Sequence, residues 1–276
     1  MPIRSAVILM RPEQPDSLVQ SALDFCGDAH LEVLVIAKAA PPPTTPYDVV
    51  NSTTWMETNE AARKLAEDRA DEIEKVLAKS GQSGGVTPHV AGHVHLADLA
   101  ANAGRYADLV LMPQSSDPDR AMDHAVQTGA LFESGTPMMM WAEGQTPTMA
   151  PEKVILAWRA TPECAQAVRA ALPMLAKAKE VYAVLIDPVP SARGHGPEPG
   201  VNLASYLAHH GVQVEVLTVP SEGRTVAHIL EQQVNEKGAN LLVMGAYGHS
   251  RLRERFFGGT TQDMLTKPPC PILLAH

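Results

Sequence analysis

The stretch NLLVMGAYGHSRLRERFFGGTTQDML, residues 240–265, decides the fold. After Asn240, residues 241–244, LLVM, are a short apolar run that reads as a strand. The chain then reads Gly245, Ala246, Tyr247 and Gly248, followed by nine residues, HSRLRERFF, before Gly258. Gly259–Thr266 reads as a helix, so strand, glycine-spaced loop and helix make a βα unit. Ligands of open parallel sheets bind beyond the carboxyl ends of strands, where loops and helix N-termini offer backbone N–H groups to anions. Gly245, Gly248 and Gly258 suit a phosphate there, because glycine accepts positive φ and has no Cβ in the way. Gly259, Thr260 and Thr261 open the helix and add its dipole and two hydroxyls. The same glycines equally suit a tight turn leaving the strand, with Leu252, Phe256 and Phe257 packing the connection. Arg251, Arg253 and Arg255 alternate as surface or interface cations do, and no catalytic role is assigned to them.

The strand at 240 has a counterpart. DLVLMP at 108–113 answers NLLVMG at 240–245, and TPMMMWA at 136–142 answers CPILLAH at 270–276. Met112 to Met244 is an offset of 132 positions and Pro137 to Pro271 one of 134, whereas Val7 to Val154 is 147. The first copy therefore holds extra residues early, in the proline-rich stretch 37–54, which is expected to be an exposed loop. Strands are expected at 6–10, 31–37, 86–90, 108–112 and 136–141, then at 153–157, 180–186, 212–219, 240–244 and 270–275. Helices are expected at 16–26, 55–79, 96–105 and 119–133, then at 162–177, 201–210, 224–237 and 259–266. Thr161 before Pro162 reads as an N-cap followed by proline at the first helical position. The alternation predicts an α/β fold of two tandem, doubly wound Rossmann-like domains, each a five-stranded parallel sheet with helices on both faces. The first domain is read as 1–143, the linker as 144–152 and the second domain as 153–276.

Composition narrows the function classes. The chain has 276 residues, 45% of them hydrophobic and 19% charged, which is enough for real cores. A net charge of −9 and a pI near 5.6 argue against nucleic acid and anionic membranes as partners. Aromatics at 4% leave little for stacking single-stranded nucleic acid. The opening MPIRSAVILM is too short an apolar run for a signal peptide or a bilayer span, so a cytoplasmic protein is expected. Cys26, Cys164 and Cys270 form no C-x-x-C pair and read as small buried hydrophobes in a reducing compartment.

Other motifs carry less. Gly194, Gly196 and Gly200 have the wrong spacing for a dinucleotide fingerprint and are interrupted by Pro197 and Pro199. Neither a P-loop nor a G-x-S-x-G elbow occurs. Among eleven histidines, His89, His93 and His95 cluster around the third strand, where His93 and His95 would share one face, with Asp98 as a third group. Surface or hydrogen-bonded imidazoles are the preferred reading over a metal site, and no metal is expected.

The G-x2-G-x9-G loop on the last βα connection of a five-strand repeat, with Cys-Pro or Thr-Pro before a final apolar strand, resembles the universal stress protein family. The resemblance spans nearly the whole chain in two copies and is most specific at 244–265; the first copy keeps the frame through LFESGTPMMM at 131–140. It implies a Rossmann-like sheet and binding of ATP or a related adenine nucleotide in the C-terminal domain. It also implies pairing through last strands, which here would join the two copies as an intramolecular pseudo-dimer, with a homodimer of chains beyond that. Residue by residue, Gly245, Gly248 and Gly258 match the phosphate and ribose loop. Gly259 stands where a Ser or Thr is expected, with Thr260 as substitute and Thr261 beside it. The A-V-D-G-S of ATP-binding members is Ala157, Trp158, Arg159, Ala160 and Thr161 here, with a cation in place of the acidic residue. Ile186, followed by Asp187, falls where an apolar wall and backbone groups would hold adenine. In the first copy Pro113, Gln114, Ser115 and Ser116 replace the glycine motif, and nucleotide binding of this kind is not expected there.

The expected function is a role in stress response, with the second domain as nucleotide sensor or regulator. The alternative is a nucleotide-free interaction protein that keeps only the fold and the pairing surfaces. No base or metal carboxylate stands beside the glycine loop, so enzymatic activity is expected to be slow ATP hydrolysis at most.

Overall fold

The computed structural model describes residues 3–42, 49–114, 119–191, 196–246 and 259–276. It contains ten strands: β1 Ser5–Met10, β2 His30–Lys38, β3 Gly84–Ala91, β4 Leu109–Gln114, β5 Met138–Ala142, β6 Lys153–Ala157, β7 Glu180–Ile186, β8 Glu215–Val219, β9 Leu241–Gly245 and β10 Ile272–Ala275. The helices are α1 Asp16–Cys26, α2 Val49–Ser80, α3 His93–Gly104, α4 Arg120–Thr128, α5 Pro162–Leu175, α6 Val201–His209, α7 Val226–Lys237 and α8 Gly259–Thr266. A π-helical turn, Gly129–Glu133, continues α4. The chain divides into two compact units, Ile3–Thr136 and Pro137–His276.

In the first unit β1 pairs in parallel with β2 and β4, and β2 with β3, giving the order β3-β2-β1-β4. In the second unit the parallel order is β10-β9-β6-β7-β8. Central strands of such sheets are covered on both faces, which explains their unbroken apolar runs: Ala6 to Met10 and Ile272 to Ala275 are all buried. With right-handed crossovers, helices that step outward from the first strand and helices that return across it lie on opposite faces.

The fifth strand of the first repeat, β5, belongs to the second unit, where it runs antiparallel to β10. Met140 pairs with Ile272, Met139 with Leu273 and Met138 with Leu274. At the repeat offset of 134, Met138 answers Ile272, Met139 answers Leu273 and Met140 answers Leu274. The pairing is therefore isologous: each residue meets the partner that its own counterpart meets from the other side.

Three expectations are corrected. The stretch 37–54 is not loop throughout, because α2 begins at Val49, three residues past Pro46, the last proline able to interrupt it. Residues 212–214 precede β8 instead of joining it, since the Val212 N–H closes a turn onto Leu207 O at 3.0 Å. His93 and His95 do not share a strand face. They lie in the first turn of α3, two positions apart and so on different sides of a helix. Among the described residues no group of three His, Cys, Asp or Glu is arranged to hold a metal. Nor is any described helix long and apolar enough to cross a membrane.

Candidate functional site

The glycine that ends β9 is fixed by packing. A Cβ on Gly245 would stand 2.5 Å from Cys164 N and 2.7 Å from Glu163 C, so only glycine lets the first turn of α5 close onto this strand. Beyond it, buried Ala246 donates its N–H to Ala275 O at 2.8 Å, and His276 Nδ1 donates to the Ala246 carbonyl at 2.9 Å. The carboxyl ends of β9 and β10 are thus tied together where the glycine-spaced loop departs. Gly248 and Gly258, with Arg251, Arg253 and Arg255, lie outside the described residues.

On the far side of that loop α8 opens with Gly259, which is exposed and, among the described residues, has nothing within 4 Å of where a Cβ would stand. Thr260 is half-buried and Thr261 buried. This helix end carries the N–H groups that an α-helix leaves unpaired.

The β6–α5 turn supplies the next wall. Ala157 ends β6, and the Cys164 thiol donates to its carbonyl at 3.7 Å. The Thr161 N–H donates to Arg159 O at 2.7 Å, which folds the turn tightly and leaves Arg159 exposed. The Thr161 hydroxyl caps α5, accepting from Cys164 N at 3.5 Å, as its place before Pro162 predicts. That hydroxyl serves the helix.

Ile186 ends β7, half-buried, and Asp187 follows with φ 44°, a left-handed conformation uncommon outside glycine. The Asp187 N–H reaches Val219 O at 3.2 Å, and its carboxylate accepts the Ser221 N–H at 3.1 Å. The Ser221 hydroxyl and backbone N–H hold this carboxyl below its ordinary range. The loops after β7 and β8 are thereby stapled beside Ile186. The structure thus places Ala157, Arg159, Thr161, Ile186, Gly245, Gly259, Thr260 and Thr261 at carboxyl-end turns of strands or at helix openings within one unit. Ser221, Glu163 and His276 were not expected. A lone serine after a strand, an acidic residue in a first helical turn and a terminal histidine carry no motif that singles them out.

The corresponding end of the first unit is filled from within. α4 begins six residues after β4 ends, whereas α8 begins fourteen residues after β9. The shorter connection brings Met122, Asp123 and Val126 over Met10, Ile36 and Met112, leaving about 10 Å³, room for one water at most. Arg11 Nε lies 3.7 Å from Asp123 Oδ1, and burial pushes the Asp123 carboxyl up although Arg11 pulls it down. Gln14 accepts the Arg11 N–H at 2.9 Å and donates to Pro113 O at 2.7 Å. Arg69 donates to Gln14 O at 2.9 Å and pairs with Asp16 and Glu72. Side chains occupy the space that a ligand would need.

Asp119 anchors this closure. Its carboxylate caps α4, accepting from Met122 N at 3.1 Å, and meets Lys38 Nζ at 2.6 Å. The Lys38 hydrogen bond is the main cause that holds its carboxyl below the ordinary value of 3.8. A depressed carboxyl contributes stability above its unfolded value and loses that contribution as pH falls through the native one. Asp119→Ala is expected to cost about 1–2 kcal/mol at pH 7. Urea denaturation repeated in acid should show the cost shrinking as pH drops below 3.8.

Residues 151–276 match the family model described as the universal stress protein family. This C-terminal segment belongs to that family. The universal stress protein domain so defined contains β6 to β10 and every residue of the candidate site. Among solved structures, the universal stress protein from Archaeoglobus fulgidus DSM 4304 is similar over 98% of this chain and 97% of its own, with 17% identity and a TM-score of 0.63. A functionally unknown protein from Pseudomonas aeruginosa PAO1 is similar over 99% and 92%, with 15% identity and a TM-score of 0.58. At these identities the likeness speaks for the fold alone, and it spans both repeats. No curated protein matches the chain.

Proposed function

We propose that the universal stress protein domain binds an adenine nucleotide, ATP or a relative, at the carboxyl ends of β6, β7 and β9, and that the protein serves stress response as a nucleotide sensor or regulator. The observation that supports this reading is the N-terminus of α8, where Gly259 is exposed and no described residue stands within 4 Å of where its Cβ would be. Thr260 adds a hydroxyl, and Ile186 with the Asp187–Ser221 staple offers an apolar wall beside ordered backbone groups for the base. Arg159, exposed on the β6–α5 turn, is the cation that this reading assigns to an anionic group of the ligand. No general base is assigned, so occupancy, not turnover, is the proposed signal. The first repeat, packed shut by α4, acts as scaffold. The isologous β5–β10 pairing supports an internal pseudo-dimer of the two repeats, and we propose a homodimer of chains in a cytoplasmic setting.

One observation favours a nucleotide-free interaction protein: Gly245 is required by its contact with α5 whether or not a phosphate is present. The two readings separate in one measurement. Protein purified under native conditions is heated to release its ligand, and the supernatant is analysed by mass spectrometry. Adenine nucleotide at about one per chain is expected; its absence, together with no heat of binding in titrations at millimolar ATP, would leave the interaction protein as the reading.

A further inference from the structure

Glu163 stands in the first turn of α5, and its Oε2 atom is buried with no hydrogen-bond partner among the described residues. A carboxylate oxygen withdrawn from water and left unpaired is costly, and buried polar atoms in folded proteins nearly always have partners. The α5 dipole favours a negative charge at this end of the helix but does not by itself pair that oxygen. The unmet requirement is for a hydrogen-bond donor.

The fold says what kind of donor. The backbone of Glu163 lies against the end of β9, as the 2.7 Å approach of its carbonyl carbon to a Cβ on Gly245 shows. In the parallel order β9-β6-β7, the N-terminus of α8, proposed for phosphate, follows β9 and the apolar wall at Ile186 closes β7. α5 leaves β6, the strand between them. The part of a nucleotide that lies between phosphate and base is the ribose, and its hydroxyls are donors.

We propose that Glu163 accepts a hydrogen bond from a ribose hydroxyl of the bound nucleotide, and so makes the site selective for ribonucleotides over deoxyribonucleotides. The proposal rests on the nucleotide-binding reading above. A hydrogen bond to a charged acceptor corresponds to about ten- to a hundredfold in affinity.

The test is isothermal titration of the full chain with AMP, 2′-deoxy-AMP and 3′-deoxy-AMP. Wild type is expected to bind AMP at least about tenfold more tightly than one of the deoxy forms. Glu163→Met, close in shape but without an acceptor, should bind all three alike. Glu163→Gln keeps an amide oxygen and should retain much of the preference, which guards against a variant that fails merely because its fold is disturbed. Wild type that binds AMP and both deoxy forms equally, or Glu163→Met that keeps the full preference, overturns the role of Glu163 and leaves nucleotide binding standing. Wild type that binds none of the three overturns the nucleotide reading and this inference with it.

Discussion

Gly245→Ala is expected to destabilise the second unit by about 3 kcal/mol, the upper range for overpacking a site that cannot relax. The added Cβ would stand 2.5 Å from Cys164 N and 2.9 Å from Cys164 Cα. These atoms belong to a helical backbone, so no side-chain rotation relieves them. The helix would have to lift from the sheet, carrying Cys164 and Ala167, both buried, out of contact. Urea denaturation of the full chain is the measurement, and the loss should appear without any nucleotide. Gly259→Ala is the contrast, since no described residue stands within 4 Å of the added Cβ and a surface change of this kind stays within about 0.5 kcal/mol. If both variants were equally stable, the α5–β9 contact would not be the reason for glycine at 245, and a ligand-facing role for that residue would regain weight.

This pair of glycines shows how far the sequence could be read. Gly245, the first glycine of the G-x2-G-x9-G spacing, does end β9, but spacing alone does not distinguish a backbone brought close to a phosphate from one brought close to a helix. That difference lies in the tertiary approach of α5, from residues eighty positions away. The strands and helices themselves were legible because each is a short apolar run or an amphipathic stretch bounded by turn residues, so β6, β7, α1 and α8 fall on their expected bounds. The histidines misled because His93 follows a strand-like run with no proline to end it; Gly92, with φ −71° and ψ 156°, is the N-cap that turns the chain into α3. The closing of the first repeat was half visible. The missing glycines were plain at Pro113 and Gln114, whereas the occupation of the space by Arg11, Gln14 and Asp123 depended on how early α4 begins.

The destination of β5 was the least local feature, and it carries the second large effect. Trp141 is fully buried on β5, and Trp141→Ala is expected to cost about 3–5 kcal/mol, the range for removing a buried aromatic ring. Met138, Met139, Met140 and Trp141 are all at 0% exposure, so this strand is covered on both faces. Its counterpart in the repeat, Ala275 on β10, is small, so the indole fills space on one side of an otherwise symmetric pairing, and no equivalent side chain across the pair can replace it. Loss of that volume should loosen β5 before it loosens the parallel strands. A loosened β5 would leave β10 as an apolar edge with unpaired N–H and C=O groups, which is a template for self-association. The expected result is therefore twofold: a lower urea midpoint for Trp141→Ala, and concentration-dependent oligomers by light scattering at urea concentrations where wild type stays monodisperse. A cost below about 1 kcal/mol, as for a surface residue, would mean that β5 does not share the core of the second unit.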